Sequence, residues 1–345
     1  MIRITHNIAN SLHDFLIQTN PDKIFLLCDA ETRIFCLPQL SDIQFHHIIE
    51  VPSGESAKTL HVCDEIWKDL AEHGATRNSM LICLGGGSIT DLGGFIAATY
   101  QRGIAVCYLP TTLLCMVDAG IGGKNAINLG GLKNYIGTFR LPSTILIHPA
   151  FLSTLPETEW INGKAEIIKH ALLSGNGWKE LRQNGFPENN NIQGWTEIIS
   201  SNTQYKEKII TADFTENNIR ARLNFGHTAA HALEYLYSKN ENILAHGRAV
   251  AAGMIIETMA AEALRLCKPE LTHEIKAFVL TIFGRVEFNE ADIPVLNHAA
   301  SKDKKSQNGN LVCSLISAPG KPCEPIGIAE NVMIQAWLRY LYETA

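Results

Sequence analysis

The 345-residue sequence lacks the segments that a membrane protein or a nucleic-acid-binding protein would need. No apolar stretch reaches the roughly 20 residues of a membrane span, and the Ala-rich segment 249–264 is interrupted by Glu257 and Glu262. The N-terminal residues include charges and His where a signal peptide requires an apolar core. No long basic run occurs, and 29 Lys and Arg against 35 Asp and Glu give a net charge of −6. We therefore expect no membrane and no nucleic-acid partner, although a few local cations can still bind an anionic small molecule.

The cysteines lack the pattern of a disulfide framework or of a metal-binding pair. There are nine, from Cys28 to Cys323, with no C-x-x-C pair and no regular spacing. Nine is an odd number, and residues such as Cys83 and Cys107 lie inside apolar runs. This pattern is typical of buried free thiols in a reducing compartment, so the sequence predicts a cytoplasmic protein.

Length and composition predict a globular protein of two domains. A chain of 345 residues is longer than one ordinary core accommodates, and 46% hydrophobic with 19% charged residues is close to the globular average. In the first 150 residues, short apolar runs alternate with amphipathic segments, as in a parallel α/β sheet. The predicted strands are 23–28, 43–49, 80–84 and 104–109, with helices at 56–73 and 88–100.

The hydrophobic pattern changes near Pro149. Beyond it the spacing is helical, and strand character returns only at 311–317. The predicted fold class is therefore α/β, with a Rossmann-like parallel-sheet domain over 1–150 and a mostly α-helical domain over 151–345. The predicted helical segments are 157–183, 192–213, 222–239, 246–266 and 269–283.

A glycine loop follows the predicted strand 80–84. Gly85, Gly86 and Gly87 precede a helical pattern, so a phosphate can approach bare backbone N–H groups at the positive end of a helix dipole. The spacing is not G-x-G-x-x-G, and a tight turn alone also explains such glycines. Asp91 fits either a helix-end charge or an acceptor for ribose hydroxyls.

A polar cluster follows between residues 102 and 134, where core-building residues would be expected. Its hydroxyl, carboxylate, ammonium and amide groups are interspersed with glycines, which suits contacts to ribose and phosphate. A solvated loop with incidental lysines is the alternative interpretation. The residues are Thr111, Thr112, Asp118, Lys124, Lys133 and Asn134.

Metal-binding residue types occur in the predicted helical domain. Glu166 and Lys169 are three residues apart on one helix face. His227 and His231 are four apart, and His246 opens another helical segment. Two imidazoles and one carboxylate form a known catalytic zinc arrangement. Spacing alone favours His227 and His231 as the ligand pair, although such spacing also arises by chance among thirteen histidines.

Taken together, these motifs resemble the 3-dehydroquinate synthase family, in the same order and over nearly the whole chain. The most telling are GGGSITDLGGFIAATYQRG, LPTTLLCMVDAGIGGKNAIN and LNFGHTAAHALE. The resembling segments are 52–59, 85–103, 109–128, 132–139, 151–156, 163–170, 223–234, 245–254 and 303–305.

The resemblance implies an NAD-binding domain, a helical metal domain, and an active site in the cleft between them. It replaces the ligand pair suggested by spacing with a zinc or cobalt site at Glu166, His227 and His246, and it turns His231 towards substrate. The implied NAD contacts are Asp29, Glu55, Lys58, Gly86, Gly87, Asp91, Thr111, Thr112, Lys133 and Thr154. The implied residues for a sugar-acid phosphate substrate are Asp118, Lys124, Asn134, Lys169, Lys206, Arg220, Asn224, His231, Lys304 and Lys305.

Arg102 resembles a residue that reaches into a neighbouring subunit's site, so the resemblance implies a homodimer. Three positions depart from the family pattern. Asn125 stands where Thr is usual, Ala230 where Gly is usual, and Arg248 where Glu is common. Arg248 lies two residues from an implied ligand, so it bears on the charge around the metal.

Three other functions stay open at this point. A metal-dependent polyol or glycerol-phosphate dehydrogenase would share the architecture but accumulate NADH. Another sugar-phosphate cyclase would use a different sugar phosphate, although Arg220, Asn224 and His231 favour the dehydroquinate branch by resemblance. A ligand-binding relative without activity conflicts with the intact set of implied metal ligands.

Overall fold

The computed structural model describes residues 1–130, 132–301 and 311–343. The chain forms two compact units, one of Met1–Trp160 with Pro187–Ile210 and one of Ile161–Phe186 with Thr211–Ala345. Residues 187–210 belong to the first unit, although the residues on either side of them belong to the second. The sequence pattern does not predict this, because 187–210 has the same helical spacing as its neighbours. The division predicted near residue 150 stays a prediction.

The first unit is built on a six-stranded sheet in the order β1-β8-β5-β4-β2-β3, and every strand pair in it is parallel. Strands β2 and β4 are almost wholly buried, as apolar strands are when helices cover both faces. The sheet strands are β1 Ile2–Ile4, β2 Ile24–Asp29, β3 His47–Val51, β4 Met80–Gly85, β5 Ala105–Pro110 and β8 Thr144–Ile147. The predicted parallel α/β fold is confirmed.

Helices and a hairpin complete this unit. Strands β6 Lys124–Leu129 and β7 Leu132–Phe139 pair antiparallel, in a segment for which the sequence indicated only a polar cluster. The sequence pattern did not predict this hairpin, because β7 is largely exposed and its apolar residues do not alternate with polar ones. The helices are α1 Ile8–Thr19, α2 Ala30–Phe35, α3 Leu60–Glu72, α4 Gly87–Thr99 and α7 Ile192–Ala212, whose last two residues belong to the second unit.

Two predicted boundaries in this unit are wrong for identifiable reasons. The strand expected at 43–49 begins only at His47, since the preceding residues form a turn after a short 3₁₀ helix, Leu37–Leu40. The helix expected at 56–73 begins at Leu60, where the Thr59 hydroxyl accepts a hydrogen bond from the Val62 N–H at 3.2 Å. A Thr side chain in this position is a strong helix start signal.

The second unit is mostly helical, as predicted. The helix expected from 222 begins at His227, because Gly226 has a φ of 82° and a 3₁₀ helix occupies Ile219–Asn224. The strand expected at 311–317 is split into β9 Leu311–Cys313 and β10 Ile316–Ala318. The helices are α5 Glu157–Ser174, which begins in the first unit, α6 Trp178–Asn184, α8 His227–Lys239, α9 His246–Ala263, α10 Pro269–Phe283, α11 Ile293–Ser301 and α12 Glu330–Tyr342. The remaining short strands are β11 Lys321–Pro322 and β12 Ile326–Ile328.

A search of the described residues finds no helix long and apolar enough to cross a membrane. All nine cysteines are free thiols, and eight of them are buried.

Candidate active site

The glycine loop lies between β4 and α4, as the sequence predicted. Gly86 is the residue before α4 and Gly87 its first residue. A Cβ at Gly86 would lie 2.9 Å from Thr112 Cγ2, and one at Gly85 would lie 2.5 Å from Ile89 Cβ. The glycines therefore permit close packing of the loop. They also place no side chain of their own over the amides at the start of α4, where an anion can be bound.

A buried lysine connects this loop to other predicted cofactor residues. Lys58 is 1% exposed, and its ammonium group donates to Asp91 Oδ2 at 2.7 Å and to Asn134 Oδ1. Glu55 Oε1 lies 3.6 Å from the same ammonium group. Burial raises the pKa of Asp91 to about 6, an effect that the charge of Lys58 opposes. The structure therefore brings Glu55, Lys58 and Asp91 together with Asn134, which the resemblance assigns to substrate.

The other predicted NAD residues differ in their burial and in their hydrogen bonds. Asp29 ends β2 and caps α2, accepting from the Thr32 N–H and hydroxyl at 2.8 Å each. Thr111 is buried after β5, while Thr112 accepts from the Cys115 N–H at 3.2 Å. Lys133 and Thr154 are exposed, on β7 and at the end of a 3₁₀ helix.

An ion pair joins two of the predicted substrate residues in the first unit. Lys206 on α7 is 6% exposed, and its ammonium group lies 2.8 Å from Asp118 Oδ1 and donates to the Asp118 carbonyl at 2.6 Å. Lys124 is exposed at the start of β6. The first unit thus contains a buried lysine that is ion-paired, Lys206, and an exposed lysine, Lys124. The resemblance implies that both contact substrate.

In the second unit three predicted metal ligands converge. Glu166 is fully buried on α5, His227 is the first residue of α8, and His246 is the first residue of α9. Their ligand atoms lie within 4.8 Å of one another. His227 Nε2 and His246 Nε2 are each 3.4 Å from Glu166 Oε1. In a tetrahedral site with bonds of about 2.1 Å, ligand atoms are about 3.4 Å apart, so this spacing fits a metal ion.

The outer nitrogens of both histidines support the same interpretation. His227 Nδ1 lies 3.3 Å from the Phe225 carbonyl oxygen, and His246 Nδ1 lies 3.0 Å from Glu234 Oε1. Acceptors at Nδ1 favour the tautomer with hydrogen on Nδ1, which leaves an Nε2 lone pair on each ring. Two lone pairs and a carboxylate oxygen then face one another, and a bound cation resolves their repulsion. The residues therefore fit a zinc or cobalt ion.

The two histidines differ in their pKa. Burial and the nearby charge of Lys169 lower the pKa of His227 to about 4. Burial also acts against the charged form of His246, but hydrogen bonds to Glu166 and Glu234 outweigh it and raise the pKa of His246 to about 10.

The remaining predicted substrate residues of the second unit lie on α5, on α8 and in the segment before α8. The ammonium group of Lys169, 2% exposed, is paired with Glu166 Oε2. Arg220 is buried and donates to the Phe214 carbonyl at 2.5 Å, and Asn224 donates to Glu216 Oε1 at 2.7 Å. His231 is exposed, and its ring packs edge-on against His227 with centroids 5.7 Å apart.

Three predicted residues stand apart from these clusters. Lys304 and Lys305 lie outside the described residues. Arg102 is exposed in a tight turn after α4, where it and Gln101 both have positive φ values, 69° and 48°. Left-handed backbone at two successive non-glycine residues is rare and costly, so this turn is held by its surroundings.

Sequence reasoning missed two acidic residues around the site. Glu234 contacts His246, and Glu257, fully buried on α9, accepts hydrogen bonds from the start of α8. The seven-residue spacing from His227 to Glu234 places both on one helix face, which is a signal that could have found Glu234. The apolar residues on both sides of Glu257 in the segment 249–264 are typical of a buried helix, and this is a signal that could have found Glu257.

Two solved structures of synthases with bound NAD+ have a similar fold. A 2-deoxy-scyllo-inosose synthase complexed with carbaglucose-6-phosphate, NAD+ and Co2+ has a TM-score of 0.86 at 22% identity, covering 97% of this chain and 95% of its own. A 2-epi-5-epi-valiolone synthase from Streptomyces hygroscopicus with NAD+ and Zn2+ has a TM-score of 0.87 at 24% identity, covering 99% and 96%. The chain therefore shares the fold of these two synthases.

Sequence similarity identifies the family to which the chain belongs. Family models for the 3-dehydroquinate synthase N-terminal and C-terminal domains match residues 48–162 and 163–306. A 3-dehydroquinate synthase from Parabacteroides distasonis is 35% identical over 320 residues, covering 92% of this chain and 91% of its own. The chain belongs to the 3-dehydroquinate synthase family, which confirms the family and the kind of enzyme predicted from the sequence.

Proposed function

We propose that the chain converts 3-deoxy-D-arabino-heptulosonate 7-phosphate into 3-dehydroquinate and phosphate, a step of the shikimate pathway. The proposed course is transient oxidation of a substrate hydroxyl, elimination of phosphate, re-reduction, ring opening and aldol closure. The observation that carries the proposal is the convergence of Glu166, His227 and His246 in a chain matched by both family models. A ligand-binding relative without activity would have no need of this cluster.

NAD and a zinc or cobalt ion are the proposed cofactors. When bound, the metal ion supplies Lewis acidity and the nicotinamide supplies a reversible hydride acceptor, so no net oxidation results. Glu166, His227 and His246 hold the metal ion. Lys58 positions Asp91, proposed as an acceptor for ribose hydroxyls, and the amides at the start of α4 receive a cofactor phosphate.

The cationic residues bind and orient the substrate. Lys124 and Asn134 hold the substrate phosphate, and this neutralisation makes phosphate a better leaving group. The held phosphate itself takes the proton from the carbon next to the transient ketone, so no separate side-chain base is required. Arg220 and Lys169 neutralise the remaining substrate anion and fix its orientation. Their own contacts, to the Phe214 carbonyl and to Glu166, limit their movement.

One assay tests the proposal. The protein is given the heptulosonate phosphate, catalytic NAD and Zn2+ or Co2+, while released phosphate and NADH absorbance are followed together. We expect many phosphates per NAD and no net NADH. NADH that forms up to the amount of NAD supplied, without release of phosphate, would instead identify a polyol or glycerol-phosphate dehydrogenase and overturn the proposal.

A variant and a second substrate complete the test. His246→Ala should lose metal and activity while the fold is kept, and normal turnover by this variant without metal would contradict the ligand assignment. A hexose phosphate supplied in place of the heptulosonate phosphate should give no phosphate. Turnover with the hexose phosphate alone would identify a different sugar-phosphate cyclase.

We also propose that the protein is a cytoplasmic homodimer. The nine free thiols favour a reducing compartment. Arg102 is exposed on a strained turn, and strain of this kind concentrates at functional positions. The resemblance is what assigns this residue to a neighbouring subunit's site.

A further inference from the structure

Two of the three helices that carry the metal residues, α8 and α9, are fastened at their N-terminal ends by a side chain of a neighbouring helix of the three. Helix α9 begins at His246, and the Gly247 N–H donates to Asn162 Oδ1 of α5 at 2.9 Å. Helix α8 begins at His227, and its first amides donate to a carboxylate of α9. The N-terminal amides of a helix have no partner within the helix. Here side chains of neighbouring helices supply those partners.

Glu257 is the residue that fastens α8. Its Oε2 accepts from the Gly226 N–H at 2.7 Å and its Oε1 from the Ala229 N–H at 3.1 Å. The residue is 0% exposed, and Gly226, with a φ of 82°, offers no side chain to cap the helix. A buried carboxylate that accepts two backbone N–H bonds is strongly held, and its charge also favours the helix N-terminus.

Glu234 completes the connection in the opposite direction. It lies on α8, and its Oε1 contacts His246 Nδ1 of α9 at 3.0 Å. Helix α8 therefore orients the ligand of α9, while α9 holds the end of α8 from which His227 projects. The backbones meet closely as well, since a Cβ at Gly253 would lie 1.9 Å from the Gly226 carbonyl oxygen.

We propose that Glu234 and Glu257 are positioning residues for the metal ion, acting through His246 and His227 respectively. The inference rests on the metal site of the proposed function. Carboxylates behind ligating histidines fix the ring orientation and raise the basicity of the ligand. Glu257 acts one step earlier, because a shift of the first turn of α8 would move His227 away from Glu166 and His246.

The test is the affinity of the metal-depleted protein for Co2+, measured by calorimetric titration together with the visible spectrum of the bound ion. We expect Glu257→Gln and Glu234→Ala each to weaken Co2+ binding by about 10- to 100-fold and to alter the spectrum. Glu234→Gln keeps an acceptor for His246 Nδ1, so it should recover most of the loss caused by Glu234→Ala. A purely structural role would leave the spectrum of the bound ion unchanged.

Glu262→Gln is the matched control. This carboxylate is also on α9, but it pairs with Arg339 of α12 at 3.3 Å, so its loss should leave Co2+ affinity unchanged. The inference is overturned if both Glu257→Gln and Glu234→Ala bind Co2+ within threefold of the unaltered protein, or if the control weakens binding equally. If Glu257→Gln does not fold, Glu234→Ala decides alone, since its side chain is 19% exposed. Failure of the unaltered protein to bind one Co2+ would instead remove the proposed function.

Discussion

At the scale of single residues, Asp213 organises the segment that presents Arg220. Its carboxylate accepts hydrogen bonds from the N–H groups of Asn217, Asn218 and Arg220 at 3.0, 2.7 and 3.0 Å. Burial opposes ionisation, but these N–H bonds outweigh it and hold the pKa of Asp213 below its ordinary value of 3.8. A charged carboxylate is therefore part of the structure around a residue proposed to bind the substrate anion.

Asp213→Asn is predicted to lower kcat/KM by roughly 10- to 100-fold, mostly through KM, because Arg220 loses its fixed position. Asp213 has a lowered pKa, so its contribution to stability is present above pH 3.8 and is lost as the pH falls through the folded-state value. The stability difference between the two proteins should therefore be full at pH 6 and shrink towards zero in acid. Urea unfolding across this range measures it, and a constant difference at all pH values would contradict the prediction.

Two departures from the family pattern have local structural roles. Asn125 is 3% exposed, accepts from the Tyr108 hydroxyl at 2.8 Å and donates to the Arg140 carbonyl at 3.0 Å. A Cβ at Gly94 would lie 2.2 Å from Asn125 Oδ1, so Gly94 makes room for this side chain. Ala230 is fully buried on α8, and the described contacts give no reason for Ala over Gly there.

Arg248 is engaged away from the metal residues. Its guanidinium group donates to the Phe283 carbonyl at 3.1 Å and to the Arg285 carbonyl at 2.9 Å, at the C-terminal end of α10. Arg248→Ala should therefore destabilise the fold by about 2 kcal/mol and leave metal affinity unchanged. Denaturant unfolding and Co2+ titration measure the two quantities, and a large loss of affinity with no loss of stability would place its charge at the metal site instead.

Sequence spacing could not predict which residues meet at the proposed metal site. The four-residue interval made His227 and His231 the natural pair. In the structure His231 is exposed, while His227 meets His246 and Glu166 from two other helices. Local periodicity identifies residues on one face of one helix, but contacts between helices depend on packing. Only the family resemblance suggested the three residues that converge here, and their role as metal ligands stays a prediction.

At the scale of elements, the packing of α8 against α9 depends on glycine. The Cβ of an alanine at 253 would fall 1.9 Å from the Gly226 carbonyl oxygen and 3.1 Å from the Ala230 N. Backbone atoms cannot move aside as a flexible side chain can. Gly253→Ala is therefore predicted to destabilise the protein by about 3 kcal/mol, although alanine has the higher helix propensity.

Urea unfolding of Gly253→Ala tests this prediction. Helix propensity alone would predict the opposite result, a higher free energy of unfolding. A rise in stability, as for glycine replacement in an open helix, would show that α8 and α9 do not approach so closely. Metal affinity should fall in the same variant, because His227 and His246 begin these two helices.

The elements themselves were predictable to different degrees. Strands β2, β4 and β5 are buried apolar runs, and their predicted positions are correct to within about a residue. Strand β1 has only three residues, and strand β7 of the hairpin is largely exposed. Short or exposed strands carry little periodic signal, so the sequence pattern missed them.

At the scale of the whole molecule, the sequence pattern predicts two domains but does not predict which residues belong to each. Residues 187–210 pack with the N-terminal unit, where Lys206 of α7 holds Asp118. That pairing joins residues 88 positions apart, and no local pattern encodes it. The proposed homodimer would add the partner subunit to function at this scale, as the resemblance implies through Arg102.

The proposed homodimer makes a prediction that a single variant cannot test. If Arg102 completes the site of the partner subunit, Arg102→Ala and His246→Ala should each be nearly inactive alone. In a mixed dimer, however, the Arg102→Ala subunit retains its own His246 and receives an intact Arg102 from its partner. One site per mixed dimer is then complete. The isolated mixed dimer should therefore have about half of normal activity, and an unseparated random mixture, in which about half of the dimers are mixed, about a quarter.

Co-expression of the two variants with different affinity tags isolates the mixed species for assay, and sedimentation checks that it is a dimer. The doubly altered chain, carrying Arg102→Ala and His246→Ala, is the control when paired with itself, because neither of its sites is complete. Pairing it with the unaltered chain should also give no activity, since one site then lacks the metal ligand and the other lacks Arg102. Activity in that pairing would show that Arg102 serves its own subunit, and the role assigned to it across the dimer would be wrong.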